Sequence, residues 1–329
     1  MLALHPMRMS RLKADPDQSG VYHCISRVVG GQFLLDNLGK ETLSRLLFKL
    51  SAFCGIEIIT YCMMGNHFHL LVRVPVREDL SDAQLLGRLE AFYGKRGILT
   101  VLARQDLQSE GVIGAALRQS LLKRMGDVSA FLKEFKQRFS RWYNRHHGRF
   151  GTLWAERFKS MLVEDVPGAV RVVAAYIDLN PVRAGLVQDP KDYRFCGYAQ
   201  ALAGNAVLRK GLIRCLKSGD WSEASAEYRM CLYVTAGSSG RSDKVTLDRE
   251  MILSELKRGG VLNLGQILRL RVRHMTDGVA LGSRAFVNEV FLRHRHKFGA
   301  RRRNGARRIR GIPMPDLRVL RDLRLRTVG

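Results

Sequence analysis

The stretch that most limits how this chain can fold is residues 61–74, Tyr61-Cys62-Met63-Met64-Gly65-Asn66-His67-Phe68-His69-Leu70-Leu71-Val72-Arg73-Val74. Two runs of β-forming residues flank Gly65-Asn66, a pair suited to a tight turn, so the segment reads as a β-hairpin. Side chains on a strand alternate faces, which points His67 and His69 one way and Phe68, Leu70 and Val72 the other. One strand would then carry both core packing and chemistry. Two adjacent neutral imidazoles can share a divalent metal and leave positions open for water or a substrate oxygen. The competing reading is a solvated histidine pair on an edge strand.

Around this hairpin the pattern alternates strand and helix. Residues 21–27 read as a first strand bounded by Gly20 and Gly30-Gly31, and residues 41–54 space Leu43, Leu46, Leu47, Leu50 and Phe53 at helical intervals. A second strand, 56–63, runs into the hairpin. His23 lies on the first strand, where a packed or hydrogen-bonded role competes with that of a third ligand. Residues 76–128 look like a helical insertion, with segments 80–93, 96–107 and 115–125, and either a DNA-facing flap or surface decoration would account for it. Residues 131–147 interleave Phe131, Phe135, Phe139, Trp142 and Tyr143 with Lys133, Lys136, Arg138, Arg141 and Arg145, an amphipathic helix with a basic outer face. Past Gly148 the charge continues through Arg149, Arg157 and Lys159, the last two on an expected strand, 152–164.

The next helix is expected to start at Asp165, as a cap, with Pro167 in its first turn, and to end where Pro181 disfavours helical geometry at Asn180. Val170, Val173, Ala174 and Ile177 form its apolar stripe. Tyr176 and Asn180 are four residues apart and share a face. Such a pair can supply a nucleophile and a metal ligand, but a tyrosine near a helix end is also a common packing anchor.

Composition narrows the partner. The 329 residues carry a formal net charge of +25 with a sequence pI near 10.5, which favours association with polyanions, nucleic acid first. The chain shows no apolar run long enough to span a bilayer and no convincing secretory signal, so the expected location is cytoplasmic and nucleoid-associated, with no membrane partner. Cys24, Cys54, Cys62, Cys196, Cys215 and Cys231 lack metal-binding spacing and read as reduced, packed thiols.

Three motifs taken together, His67-Phe68-His69, Gly151-Thr152-Leu153-Trp154-Ala155-Glu156-Arg157-Phe158-Lys159-Ser160 and Tyr176-Ile177-Asp178-Leu179-Asn180-Pro181-Val182-Arg183-Ala184-Gly185, resemble those of the REP-associated tyrosine transposases. The resemblance covers roughly residues 7–202. These are single-tyrosine transposases of the insertion-sequence type within the HUH endonucleases. The resemblance implies an α+β, ferredoxin-like HUH nuclease fold with a central antiparallel sheet. It also implies that His67 and His69 hold a divalent metal, Mg or Mn, with Asn180 as a third ligand, and that Tyr176 attacks DNA. The implied activity is that of a DNA transposase, which nicks and rejoins single-stranded DNA near hairpins through a 5′-phosphotyrosine. Lys136, Arg138, Arg141, Arg145, Arg149, Arg157, Lys159 and Arg183 are the expected DNA contacts. The long insertion and the residues beyond the core depart from compact members. The alternative is a domesticated hairpin-binding protein that does not cut. A replication or conjugation initiator of the same superfamily fits the Leu179 to Gly185 wording less well, and a homodimer is compatible with either reading.

The chain therefore divides, on sequence, into residues 1–204 as the nuclease-like domain with its insertion at 76–128, and residues 205–329 as a mainly helical, basic extension. Within the latter, residues 247–270 and a turn followed by a helix at 278–291 are compatible with a helix-turn-helix or a small helical appendage. Residues 293–310 are rich in arginine and poor in apolar residues, as in a flexible DNA-contacting arm.

Overall fold

The computed structural model describes residues 11–15, 17–77, 79–237, 273–309 and 316–321. The first strand, β1 (Gly20–Arg27), leads into α1 (Asn37–Cys54), then β2 (Glu57–Met63) and β3 (His67–Val74). Three insertion helices follow, α2 (Asp82–Tyr93), α3 (Ile98–Glu110) and α4 (Ala115–Leu122), then α5 (Val128–His146) and β4 (Lys159–Val163). The first four strands take the order β2-β3-β1-β4, antiparallel throughout, which with a helix after β1 and another before β4 is the ferredoxin-like arrangement. Beyond β4 come α6 (Pro167–Asp178), the single turn α7 (Asn180–Arg183), α8 (Gly197–Leu202), α9 (Ala206–Leu216) and α10 (Trp221–Gly237).

Each helix starts and stops for local reasons. Asp36 caps α1 by accepting from the Gly39 N–H at 2.7 Å, which sets its start four residues before the expected 41, and Gly55 ends it in the left-handed conformation. Asp127 likewise caps α5. The insertion helices fall close to their expected positions. Arg124 and Arg138 both donate to the hydroxyl of Tyr93 and to Glu134, fastening the end of α2 to α5.

Alternation along β3 builds both layers. Phe68 meets Phe135 and Trp154 edge-on, with ring centroids 5.4 Å apart in each case, in the layer formed by α1 and α5. The opposite face carries His67, His69 and Arg73 toward the layer that contains α6. At the end of that face Arg73, 3 % exposed, makes paired guanidinium bonds of 2.7 and 2.8 Å to Asp165 and reaches Glu57. Asp165 therefore does not cap α6, contrary to expectation. The N-cap is Val166, without a side-chain bond, and Pro167 supplies the preset first turn. The α9 helix packs so close to β2 that a Cβ at Gly211 would stand 2.4 Å from the Ile58 carbonyl oxygen.

The region past residue 205 is helical as expected through α9 and α10, and it also feeds the sheet. Strand β5 (Gly278–Gly282) pairs parallel with β4, β7 (Arg318–Arg321) pairs antiparallel with β5, and β6 (Arg307–Arg308) completes a seven-stranded, mostly antiparallel sheet. Residues 278–282 are thus a strand and not the expected turn, although a helix follows at Arg284–Arg293. Their short apolar run was the available signal, masked by two flanking glycines. The expected helix at 247–270 lies outside the described residues. Residues 293–309 are not a free arm: Phe298 and Ile309 are buried, and the Arg302 guanidinium lies 5.1 Å from the Phe298 ring centroid. Between Thr152 and Glu164 only Lys159–Val163 is strand, with an isolated bridge joining Trp154 to Val28.

One buried carboxylate ties the second layer together. Asp178, the last residue of α6 and fully buried, accepts from the Thr60 hydroxyl of β2 at 2.9 Å, the Tyr228 hydroxyl of α10 at 2.6 Å and the Tyr198 N–H of α8 at 3.1 Å. Burial pushes its pKa up to about 6, against the pull of these donors. Asp178→Ala leaves three donors without an acceptor, at about 1–3 kcal/mol for each and less than additively, so urea unfolding should show a loss of about 3 kcal/mol or more. A loss below about 1 kcal/mol would show that the network does not hold α6 in place.

Candidate functional site

The second layer brings together residues far apart in sequence. Register sets Ile25 opposite His69 and Arg27 opposite His67, at the end of the sheet where β2 turns into β3. The α6 helix docks its apolar stripe here: Val170, Val173, Ala174 and Ile177 are all buried. That docking carries the Tyr176 ring edge-on to His69, centroids 5.7 Å apart, and to His23 at 5.8 Å. The His67 and His69 rings stand 5.0 Å apart, nearly perpendicular.

Hydrogen bonds to the Nδ1 atoms orient both imidazoles. His67 Nδ1 lies 2.6 Å from Asn66 Oδ1, an atom that can only accept, so the proton sits on Nδ1 and the lone pair on Nε2. Asn66 is itself held by its amide nitrogen on the Gly31 carbonyl at 3.1 Å. His69 Nδ1 pairs with His23 Nε2 at 2.9 Å, and those two rings stack with centroids 5.2 Å apart. His23 is therefore a supporting residue for His69, which the sequence left open between packing and ligation. Burial drives all three pKa values down, His23 to about 3, His67 to about 4 with help from Arg27, and His69 well below its ordinary value with help from His23 and His67. At neutral pH the pair is uncharged and able to donate lone pairs.

This donor set fits a divalent ion with two nitrogen ligands and an open remainder. Among the described residues no group of three or more His, Cys, Asp or Glu is placed to hold a metal, so further ligands would be an amide oxygen, water or phosphate. Asn180 stands one turn beyond Tyr176, its amide nitrogen donating to the Tyr176 and Ile177 carbonyls at 2.9 and 3.2 Å. Its amide oxygen is the atom with ligand capacity. All six cysteines are free thiols, five of them buried.

Tyr176 is 3 % exposed, and burial pushes its phenol up to about 12 against the opposing pull of Arg183 and Arg27. Arg183, half-buried, places its guanidinium carbon 5.4 Å from the Tyr176 ring centroid. Arg27 is exposed and opposes His67 in register, and no sequence motif had singled it out. Tyr143 is elsewhere: buried on α5, its hydroxyl donates to the Leu34 carbonyl at 2.9 Å.

The basic residues of 136–159 differ in how free their charges are, although Lys136 lines the same cleft as four of the arginines. Arg141, Arg145, Arg149 and Arg157 line a cleft of about 1230 Å³ between α5 and the chain from Gly148 to Phe158, along with the exposed Phe150. Lys159 is exposed at the start of β4, 3.7 Å from Glu156. Lys136 and Arg138 do not form the exposed face expected of them. Lys136 is 8 % exposed, donates to the Glu156 carbonyl at 2.7 Å and is pushed down to about 8 by burial, while Arg138 is engaged by Glu134 and Tyr93. Helical spacing alone could not separate the outermost basic residues from those flanking the buried stripe.

The histidine shifts have a measurable sign. Unfolding frees each ring to titrate near 6.5, so the unfolded chain takes up protons first and stability should fall as pH drops from about 6.5 toward 4. In NMR titrations of ring nitrogens, His67 should protonate near 4 and His23 near 3. Midpoints near 6.5 would contradict the buried, neutral pair.

No family model matches the chain, and no curated protein matches it. Among solved structures it is similar to a REP-associated tyrosine transposase bound to a REP hairpin, at 16% sequence identity over 60% of this chain and 87% of that one, with a TM-score of 0.39.

Proposed function

We propose that this chain is a DNA transposase that nicks and rejoins single-stranded DNA beside hairpins, with Tyr176 as nucleophile. The observation that carries the reading is the meeting of Tyr176 with the paired imidazoles, delivered by α6 from a hundred residues away in sequence. The wording of the three motifs, read with their resemblance to REP-associated tyrosine transposases, supports the same reading.

In this reading the Tyr176 oxygen attacks the scissile phosphorus and displaces the 3′-oxygen, leaving a 5′-phosphotyrosine and a free 3′-hydroxyl. Because the phosphoester is kept, attack by another 3′-hydroxyl reverses the step and rejoins DNA without hydrolysis. His67, His69 and the Asn180 amide oxygen are the groups that would hold Mg or Mn, which when bound supplies positive charge to the non-bridging phosphate oxygens. His23 keeps the His69 ring in position, as second partners of ligating imidazoles do. Arg183 and Arg27 oppose the burial that raises the phenol and favour its anion. The arginines of the cleft would take the DNA backbone.

A second reading, hairpin binding without cutting, is favoured by the burial of Tyr176. Burial raises the phenol above its ordinary value, so less of it is ionised at neutral pH than of a free tyrosine, and 3 % exposure leaves little of it open to a phosphodiester. Incubation with labelled hairpin-flanked oligonucleotides and Mn, followed by a denaturing gel, separates the two. Cutting predicts a covalent adduct that Tyr176→Phe abolishes and Tyr143→Phe retains. His67→Ala, His69→Ala or chelation should lower adduct formation by at least tenfold while hairpin binding persists. Binding with no adduct under any metal would establish the second reading, and an adduct that survives Tyr176→Phe would overturn the nucleophile.

A further inference from the structure

Phe33 is 83 % exposed, on the chain between β1 and α1. A single exposed phenylalanine is ordinary, but the backbone that presents this one is held on both sides. The Leu34 carbonyl accepts from the buried Tyr143 hydroxyl at 2.9 Å, and the Leu35 N–H donates to the Gly65 carbonyl at 2.8 Å. The Gln32 N–H closes back on the Val29 carbonyl, in a turn whose Gly30 and Gly31 take φ of 62° and 66°. The ring itself rests on Gly65: a Cβ there would stand 2.8 Å from Phe33 Cδ1. Gly65 opens the turn that delivers His67 two residues later, roughly 7 Å of chain at most.

The surroundings suit a polyanion with exposed rings. Arg27, exposed, opposes His67, and the Val29 N–H donates to the Leu153 carbonyl at 2.9 Å, which joins this loop to the chain that walls the arginine-lined cleft. An exposed aromatic ring on a backbone bonded on both sides, six residues after Arg27 and against the turn that leads to His67, matches an unpaired nucleobase, whose π-face stacks on such a ring while its phosphates meet nearby cations. A base inside a duplex has no free face to offer.

We propose that Phe33 is a stacking platform for one unpaired base next to the strand position processed at His67 and His69, so that Tyr143, Gly65 and the glycine pair serve to hold the platform in place. This rests on the reading of the site as one that acts on single-stranded DNA. The test uses the full chain in a Tyr176→Phe background, to prevent turnover, and hairpin oligonucleotides with 2-aminopurine placed at each unpaired position in turn. One position should be quenched on binding. Phe33→Ala should remove that quench and weaken binding to the unpaired strand by about 5- to 150-fold, the range for one base on one aromatic ring, while Phe33→Tyr restores both. An unchanged quench and affinity in Phe33→Ala would overturn the platform, as would an equal loss of affinity for blunt duplex. Adduct formation by the chain with native Tyr176 is scored in parallel. If it persists while Phe33→Ala is silent, only the platform fails. If the chain neither binds unpaired DNA nor forms an adduct, both readings fail.

Discussion

The period of two along β3 is the constraint on which the two layers depend. Its neighbours on both sides, β1 and β2, fix its register, and a shift by one residue would send Phe68 toward α6 and His69 into the aromatic layer of α5. Both outcomes are costly, one by exposing Phe68 to the wrong partners and the other by setting an imidazole among Phe135 and Trp154. The packing that makes the core unique therefore also fixes where the histidines stand, and the geometry of the site is inherited from the hydrophobic alternation.

How much of this is readable in advance follows from the range of each interaction. The hairpin, α1, α5 and the insertion helices are specified by local periodicity, caps and turns, and the sequence reading places them within a few residues. The face shared by His67 and His69 follows from the same local rule. The pairing of His23 with His69 does not, because it depends on β1 lying beside β3, and no spacing in the chain encodes that adjacency. Asp165 was misread for a related reason: a residue with cap chemistry at a helix start found a stronger partner in Arg73, ninety-two residues away in sequence. Lys136 shows the limit of helical wheels, since its position at the edge of the stripe looked exposed until the chain at Glu156 and the Trp154 ring covered it.

Charge in this molecule is sorted more finely than its total suggests. Arg73, Arg124 and Arg138 are engaged by carboxylates and stabilise junctions between elements, whereas Arg141, Arg145 and Arg157 face the open cleft. Only the latter kind can respond to salt and to a polyanion without disturbing the fold. Near the histidines the sorting takes another form, with cations at Arg27 and Arg183 and with Asp178 turned away into its own hydrogen-bonded network.

The parallel pairing of β4 with β5 has a consequence in time. When β4 leaves the ribosome its outer edge carries unpaired N–H and C=O groups, and the strand that covers it is completed roughly 120 residues later. At typical elongation rates of about 5–20 residues per second, the nascent sheet would spend roughly 6–24 s with that edge open. During this interval the four-stranded sheet and α6 can already form, so a nascent chain would bring its histidines and Tyr176 together before the β4 edge is covered. The last strands would then cover the β4 edge after the half that holds the histidines and Tyr176 has taken shape.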